Sequence, residues 1–151
     1  MFEHSSALPT KYKEPSTWLK EHTAAGAIVF NVNWTQFSAL FFWNQHNYYI
    51  YGMDPVFLHK YDESLYWKIY NILIRDMGEV TCGIPDCDEE HMEPVYYALS
   101  RDFRASYVFV RRLSQTRFLD YLEKDRSHFE KVYDRGSSVI FQVLPEEGGK
   151  E

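Results

Sequence analysis

Residues 26–55, GAIVFNVNWTQFSALFFWNQHNYYIYGMDP, read as one β-α-β unit. Ala27, Ile28, Val29 and Phe30 form an unbroken apolar run, the pattern of a strand buried on both faces, as in a parallel sheet. Thr35 is placed to cap a helix carrying Phe37, Leu40 and Phe41 on one side. Residues 47–51 then form a strand of β-branched and aromatic type, ended by Gly52 and an Asp54-Pro55 turn. Parallel strands put their carboxyl ends at one sheet edge, where open α/β sheets bind ligands.

The rest of the chain extends the alternation. Pro15 opens a short helix to His22, with Trp18 and Leu19 as its apolar contacts. Asp62 caps a helix to about Met77, in which Leu65, Ile69, Ile72, Leu73 and Met77 recur at helical spacing before Gly78 stops it. Residues 79–92 are acidic and irregular. Pro94 opens another helix with Val95, Leu99 and Phe103 four apart. Residues 106–111 form a third strand. Residues 116–126 form an amphipathic helix with Phe118, Leu119 and Leu122 inward. Residues 129–133 and 139–144 flank a turn and read as an antiparallel hairpin.

The expected fold is therefore α/β: a Rossmann-like three-layer sandwich, with a mostly parallel sheet and a C-terminal antiparallel hairpin. The expected organisation is a loose lead-in over residues 1–14, one α/β domain over 15–144 and a disordered tail over 145–151. A chain of 151 residues can bury a core without disulfides or metal.

Composition narrows the function. The formal net charge is −6, and the densest basic cluster, Arg101, Arg104, Arg111 and Arg112, is diluted by Asp102. Nucleic acid is not an expected partner, because its binding needs a basic face to displace counterions. The longest apolar runs, residues 24–30 and 38–43, are far short of the roughly 20 residues of a spanning helix. The opening Met1–Ser6 is polar, without a leader pattern. With 12 Tyr, 11 Phe and 4 Trp, rings are expected on a surface, groove or interface as well as in the core.

The string WLKEHTAAGAIVFNVNW, followed by FSALFFWNQHNYYIYGMDPVFL, resembles the soluble C-terminal domain of prokaryotic multi-spanning membrane proteins. These are similar to GT-C-type glycosyltransferases of the dolichyl-phosphate-mannose protein mannosyltransferase-like group. The shared order is a Trp-Leu helix, a Gly-initiated IVF strand, an Asn-Trp pair, a Leu-Phe-Phe helix, an Asn-x-Tyr strand and a Gly-x-Asp-Pro turn. It spans residues 15–58, with a weaker echo in SYVFVRR and EKVYDRGSSVIFQV. The resemblance implies a larger polypeptide, an extracytoplasmic domain and a membrane-embedded part of the same chain as partner. It implies catalytic carboxylates in loops between membrane helices, so no catalytic residue transfers to this chain. The segment from Cys82 to His91 departs from the pattern.

Asn31, Asn33 and Trp34 follow the first strand, Asp54 follows the second, and Arg111 and Arg112 end the third. If these strands are parallel, all six meet at one edge. Amides, a carboxylate and an indole face suit a sugar, and the same residue types also cap turns and pack under loops. His46, between Asn44 and Asn47 at the opposite edge, has the chemistry of a base or metal ligand, but turn formation explains all three more simply. Asp62 and Glu63 with Asp54 offer an acid/base pair, although Asp62 is already explained as a helix cap.

The Cys82-x4-Cys87 spacing fits a loop disulfide in an oxidising compartment and equally two free thiols in a cytosolic loop. With Asp88, Glu89, Glu90 and His91 it forms the nearest approach to a zinc cluster, yet the spacing supplies three ligands where four are needed. No metal is expected. GxGxxG, Walker and GxSxG motifs are missing from the sequence, so no nucleotide cofactor and no serine-hydrolase chemistry is expected.

Three functions remain. The first is an accessory, non-catalytic domain contacting glycan or acceptor. The second is a stand-alone sugar- or small-molecule-binding protein or small enzyme using the same edge. The third is an interaction module using exposed rings.

Overall fold

The computed structural model describes residues 12–31, 37–50, 59–112 and 116–146. In chain order they form α1 (Lys13–His22), β1 (Ile28–Asn31), α2 (Phe37–Trp43), β2 (Tyr48–Tyr49) and α3 (Glu63–Leu73). Then come β3 (Val80–Thr81), β4 (Glu93–Pro94) and α4 (Val95–Tyr97), which runs into a π-helical turn over Ala98–Asp102. The chain ends in β5 (Tyr107–Arg111), α5 (Thr116–Lys124), β6 (Phe129–Arg135) and β7 (Ser138–Val143).

The fold is mixed α/β. Five strands form one sheet in the order β2-β1-β5-β7-β6, and β3 and β4 form a separate antiparallel pair. β1 pairs in parallel with β2 and with β5, while β7 is antiparallel to β5 and β6. Four of the five strands thus run one way and β7 alone runs back, a mostly parallel sheet closed by a hairpin.

Strand alternation sends successive side chains to opposite sides. Phe30, Val108, Val110, Val139 and Phe141 join one apolar cluster with Ile69 and Ile72 of α3, Val95 and Leu99, and Phe118 and Leu122 of α5. Val29, Phe109 and Ile140 join the other, with Leu19 of α1 and Leu40 of α2. Both sides of the central strands are therefore covered, as the apolar run in β1 requires. Phe30 and Phe109 are fully buried. Each such side chain stabilises the fold by roughly 1.5–3 kcal/mol relative to exposure.

Several boundaries differ from the sequence expectation. α3 stops at Leu73 rather than near Met77, because the chain turns through Asp76 (φ 51°) and Gly78 (φ 94°). The helix expected from Pro94 is a single α-turn followed by the π turn, although Val95, Leu99 and Phe103 are all buried. The segment over 79–92, read as irregular, contributes β3 to a short antiparallel pair. β6 and β7 are joined by a two-residue loop, with Gly136 at φ 59° in its first central position, where side chains are disfavoured. A bulge between Lys131 and Tyr133 turns both Val132 and Tyr133 toward the α1 side. α1 begins at Lys13, inside the expected lead-in, and Glu146 of the expected tail pairs with Arg101 at 3.0 Å. The Thr35 cap lies outside the described residues.

Among the described residues, no helix is long and apolar enough to cross a membrane.

Candidate functional site

β1 and β5 lie side by side and parallel, with Asn31 opposite Phe109, so their carboxyl ends share one edge of the sheet. The helix leaving β1 packs on the side of Val29 and Phe109, whereas α3 and α4, between β2 and β5, pack on the other. The connections thus diverge between β1 and β5, the arrangement at which open α/β sheets bind ligands. Asn31 ends β1 fully buried, and Arg111 ends β5 half-buried. By alternation both occupy the α1 side. Arg111 Nε is buried without a hydrogen-bond partner among the described residues. Asn33, Trp34 and Asp54 lie outside the described residues, so the edge is represented by Asn31 and Arg111.

Arg112 does not join them. One residue on, it faces the opposite side of the strand. There its Nε donates to Gly136 O at 3.2 Å, its guanidinium pairs with Asp134, and its backbone N–H donates to Ser137 O at 2.8 Å. Its role is to tie β5 to the β6–β7 turn.

The amino-end edge carries a different network. Asn44 and Asn47 are buried, and Asn44 Nδ2 donates to Asn47 Oδ1 at 2.6 Å and to the Tyr49 hydroxyl at 3.0 Å. Asn47 Nδ2 donates to Thr23 Oγ1 at 2.9 Å and Ala27 O at 3.2 Å. His46 donates from Nε2 to Thr23 O at 2.7 Å, and its carbonyl receives Gly26 N–H at 2.8 Å. These bonds satisfy backbone groups where the chain enters β1 and β2, so the three residues build the turn rather than a catalytic centre. Burial pushes the Tyr49 phenol well above its usual range, keeping it a neutral donor to Asn44 O.

Cys82 and Cys87 are bridged. Asn71 Nδ2, on α3, donates to Cys82 O at 3.0 Å, and Arg75 donates to Pro85 O at 2.6 Å, so the small ring is seated on α3. Gly83 packs closely on Ser64 there, whose hydroxyl a β-carbon would displace. With the sulfurs bonded to each other, the cysteines are not metal ligands. His91 instead pairs with Asp88 at 2.6 Å, and this contact raises the imidazole's proton affinity and lowers the carboxyl's. Among the described residues no three His, Cys, Asp or Glu groups converge as metal ligands. Asp62 accepts Leu65 N–H at 3.1 Å as the cap of α3. Glu63 accepts the Trp67 indole N–H at 3.3 Å. Both carboxylates therefore have structural work.

One grouping was not singled out in the sequence. His128 Nδ1 donates to Asp125 Oδ2 at 2.8 Å, and its ring stacks on Tyr96 with centroids 3.8 Å apart. A cleft of about 250 Å³ beside them is also lined by Glu79, Pro94, Tyr97 and Tyr121. Burial opposes the Asp125 charge, but hydrogen bonds from His128, Tyr121 and Ser127 outweigh it and hold the carboxyl below its ordinary range. Burial, reinforced by Asp125, pushes the Tyr121 phenol far up. The partners are scattered from Glu79 to His128, and their only local signal, Asp125-x2-His128, also describes a simple turn.

Among the described residues the exposed Phe and Tyr rings are Phe41 and Phe42 of α2, Tyr48 of β2 and, ahead of α3, Tyr61, the most exposed at 90%. Compared with protein-family models, curated proteins and solved structures, the chain matches none.

Proposed function

We propose that this chain is an accessory, non-catalytic extracytoplasmic domain of a membrane glycosyltransferase-like protein. In this reading it has a Rossmann-like three-layer fold and contacts glycan or acceptor at the carboxyl edge of its parallel strands. The observation that carries the reading is that β1 and β5 run parallel and end at one edge, with the half-buried Arg111 there, where their connections diverge. The half-buried Arg111 guanidinium supplies donors for sugar hydroxyls or a carboxylate. Asn33, Trp34 and Asp54, close in sequence to the ends of β1 and β2, complete the expected surface. The two apolar clusters on opposite sides of the sheet support the three-layer description. The Cys82–Cys87 bridge supports an oxidising, extracytoplasmic setting.

The test is transfer activity of the parent membrane protein carrying Asn33→Ala, Trp34→Ala and Asp54→Ala together. The expected result is a large loss with normal protein level. Unchanged transfer by the triple variant refutes the reading.

A second reading, a stand-alone small-molecule-binding protein, is favoured by the cleft at Tyr96, Asp125 and His128. It requires saturable ligand binding by the purified chain that His128→Gln abolishes.

A further inference from the structure

The carboxyl edge continues past Arg111 into the hairpin. Arg111 of β5 is paired with Ser138 of β7, and Ser138 with Arg135 of β6, so the three stand in one cross-strand row. Phe109, Ile140 and Tyr133, each two residues away along its strand, belong to the cluster on the α1 side. By alternation Arg111, Ser138 and Arg135 share that side. Neighbouring strands are about 4.8 Å apart, so the two arginines flank Ser138 at roughly 10 Å between backbones, within converging reach of two long side chains.

Arg111 and Arg135 make no ion pair among the described residues, and Arg111 Nε is a buried donor without a partner. Arg135 lies only loosely over the Tyr133 ring, at 5.9 Å. The contrast with the other side is sharp, since Arg112 is neutralised there by Asp134 and Lys131 by Glu123 and Asp134. Arg135, Ser137 and Ser138 line a cleft of about 450 Å³ with Tyr133, Gly136 and the first three residues of α1, Lys13, Glu14 and Pro15, while Arg111 stands beside it through its pairing with Ser138 rather than lining it. The positive end of the α1 dipole therefore borders the same space. Glu14 is the one carboxylate among the lining residues.

We propose that the Arg111–Ser138–Arg135 row, under the start of α1, is a binding site for a phosphoryl group, most simply a diphosphate. Two planar guanidinium forks match phosphate oxygens bidentately, and the Ser138 hydroxyl between them donates a further bond. The proposal rests on the carboxyl edge being a binding edge and adds the class of ligand.

The test is an NMR titration of the 151-residue chain with inorganic pyrophosphate at constant ionic strength. Saturable shifts are expected at the Arg111 and Arg135 Nε–H groups and at the Gly136, Ser137 and Ser138 amides. Arg111→Gln and Arg135→Gln should each raise Kd about tenfold, the loss of one charge-assisted contact. Glu14→Gln should lower Kd, and Lys124→Gln, on α5, should leave it unchanged. If Arg111→Gln fails to fold, the exposed Arg135 decides the matter. Shifts that never saturate, or that saturate in Arg135→Gln with an unchanged Kd, overturn the site.

Vesicles of phosphatidylcholine with phosphatidic acid separate the sources. Binding of pyrophosphate alone supports a soluble phosphoryl ligand, and binding of both supports a lipid-borne one. Vesicle binding without pyrophosphate binding overturns the proposal. Pyrophosphate binding alongside undiminished transfer by the Asn33/Trp34/Asp54 triple variant keeps this site and removes the accessory-glycosyltransferase reading.

Discussion

Breaking the Cys82–Cys87 bridge should cost stability without unfolding the chain. The bridge joins residues five apart, so it restrains only a small loop in the unfolded state. The chain-entropy relation for so short a loop gives about 2 kcal/mol, corresponding to roughly 4–8 °C in Tm for a domain of this size. The folded loop retains other anchors: Asn71 on Cys82 O, Arg75 on Pro85 O, and Thr81 Oγ1 donating to Lys68 O at 2.9 Å. The major clusters lie elsewhere, so the sheet should remain intact. The assay is a thermal melt of the purified chain, oxidised and then fully reduced, beside the Cys82→Ala/Cys87→Ala variant with and without reductant. Reduced protein should melt lower, and the double variant should ignore reductant. Coincident melts of oxidised and reduced protein, or two titratable thiols in protein isolated from its native compartment, would refute the reasoning.

Three other outcomes follow from particular contacts. Asp76, at φ 51°, accepts the Arg117 and Phe118 backbone N–H groups at 2.9 Å each and so caps α5 from a distant turn. Asp76→Ala should lower stability by about 1–2 kcal/mol in denaturant melts, with Asn recovering much of the loss; an unchanged midpoint would contradict the cap. Asp125 is held below its ordinary pKa, so its contribution is complete above the unfolded carboxyl value and fades as pH falls through the folded one. Asp125→Asn should therefore flatten the acid limb of stability against pH; an unchanged acid limb in denaturant melts would contradict the pairing. Lys68 loses proton affinity to burial, but regains more from Asp102 at 2.5 Å and Glu93 at 2.7 Å, so its pKa is raised overall. That contribution is present below the unfolded lysine value and disappears as pH rises through the folded one, so Lys68→Gln should remove an alkaline loss of stability.

The β1-α2-β2 unit was legible because each part has a local cause: an apolar run for a strand covered on both sides, a short aromatic helix, and a turn sequence at Asn44–Asn47; of the face expected on α2, however, only Leu40 is buried, together with Ala39, while Phe41 is exposed. The Asp62 cap and the hairpin were legible for the same reason. The end of α3 was not, since Asp76 takes a positive φ while its carboxylate serves a helix forty residues away in the chain. Arg111 and Arg112 looked alike in sequence, and only the strand's period of two separates them. The row through Ser138 and Arg135 depends on pairing register across three strands, information that no single segment carries. The cleft at His128 likewise draws on β3, β4, α4 and α5 together. The disulfide was one of two outcomes compatible with the spacing, because redox state is set by the compartment as well as by geometry.

We propose that this domain works as part of a larger membrane protein outside the cytoplasm. An antibody raised against the domain, used on fractionated cells of the source organism, tests it most directly. The expected result is a band far above the 18.0 kDa of this chain, released only by detergent. A band near that mass in the detergent-free fraction would contradict it.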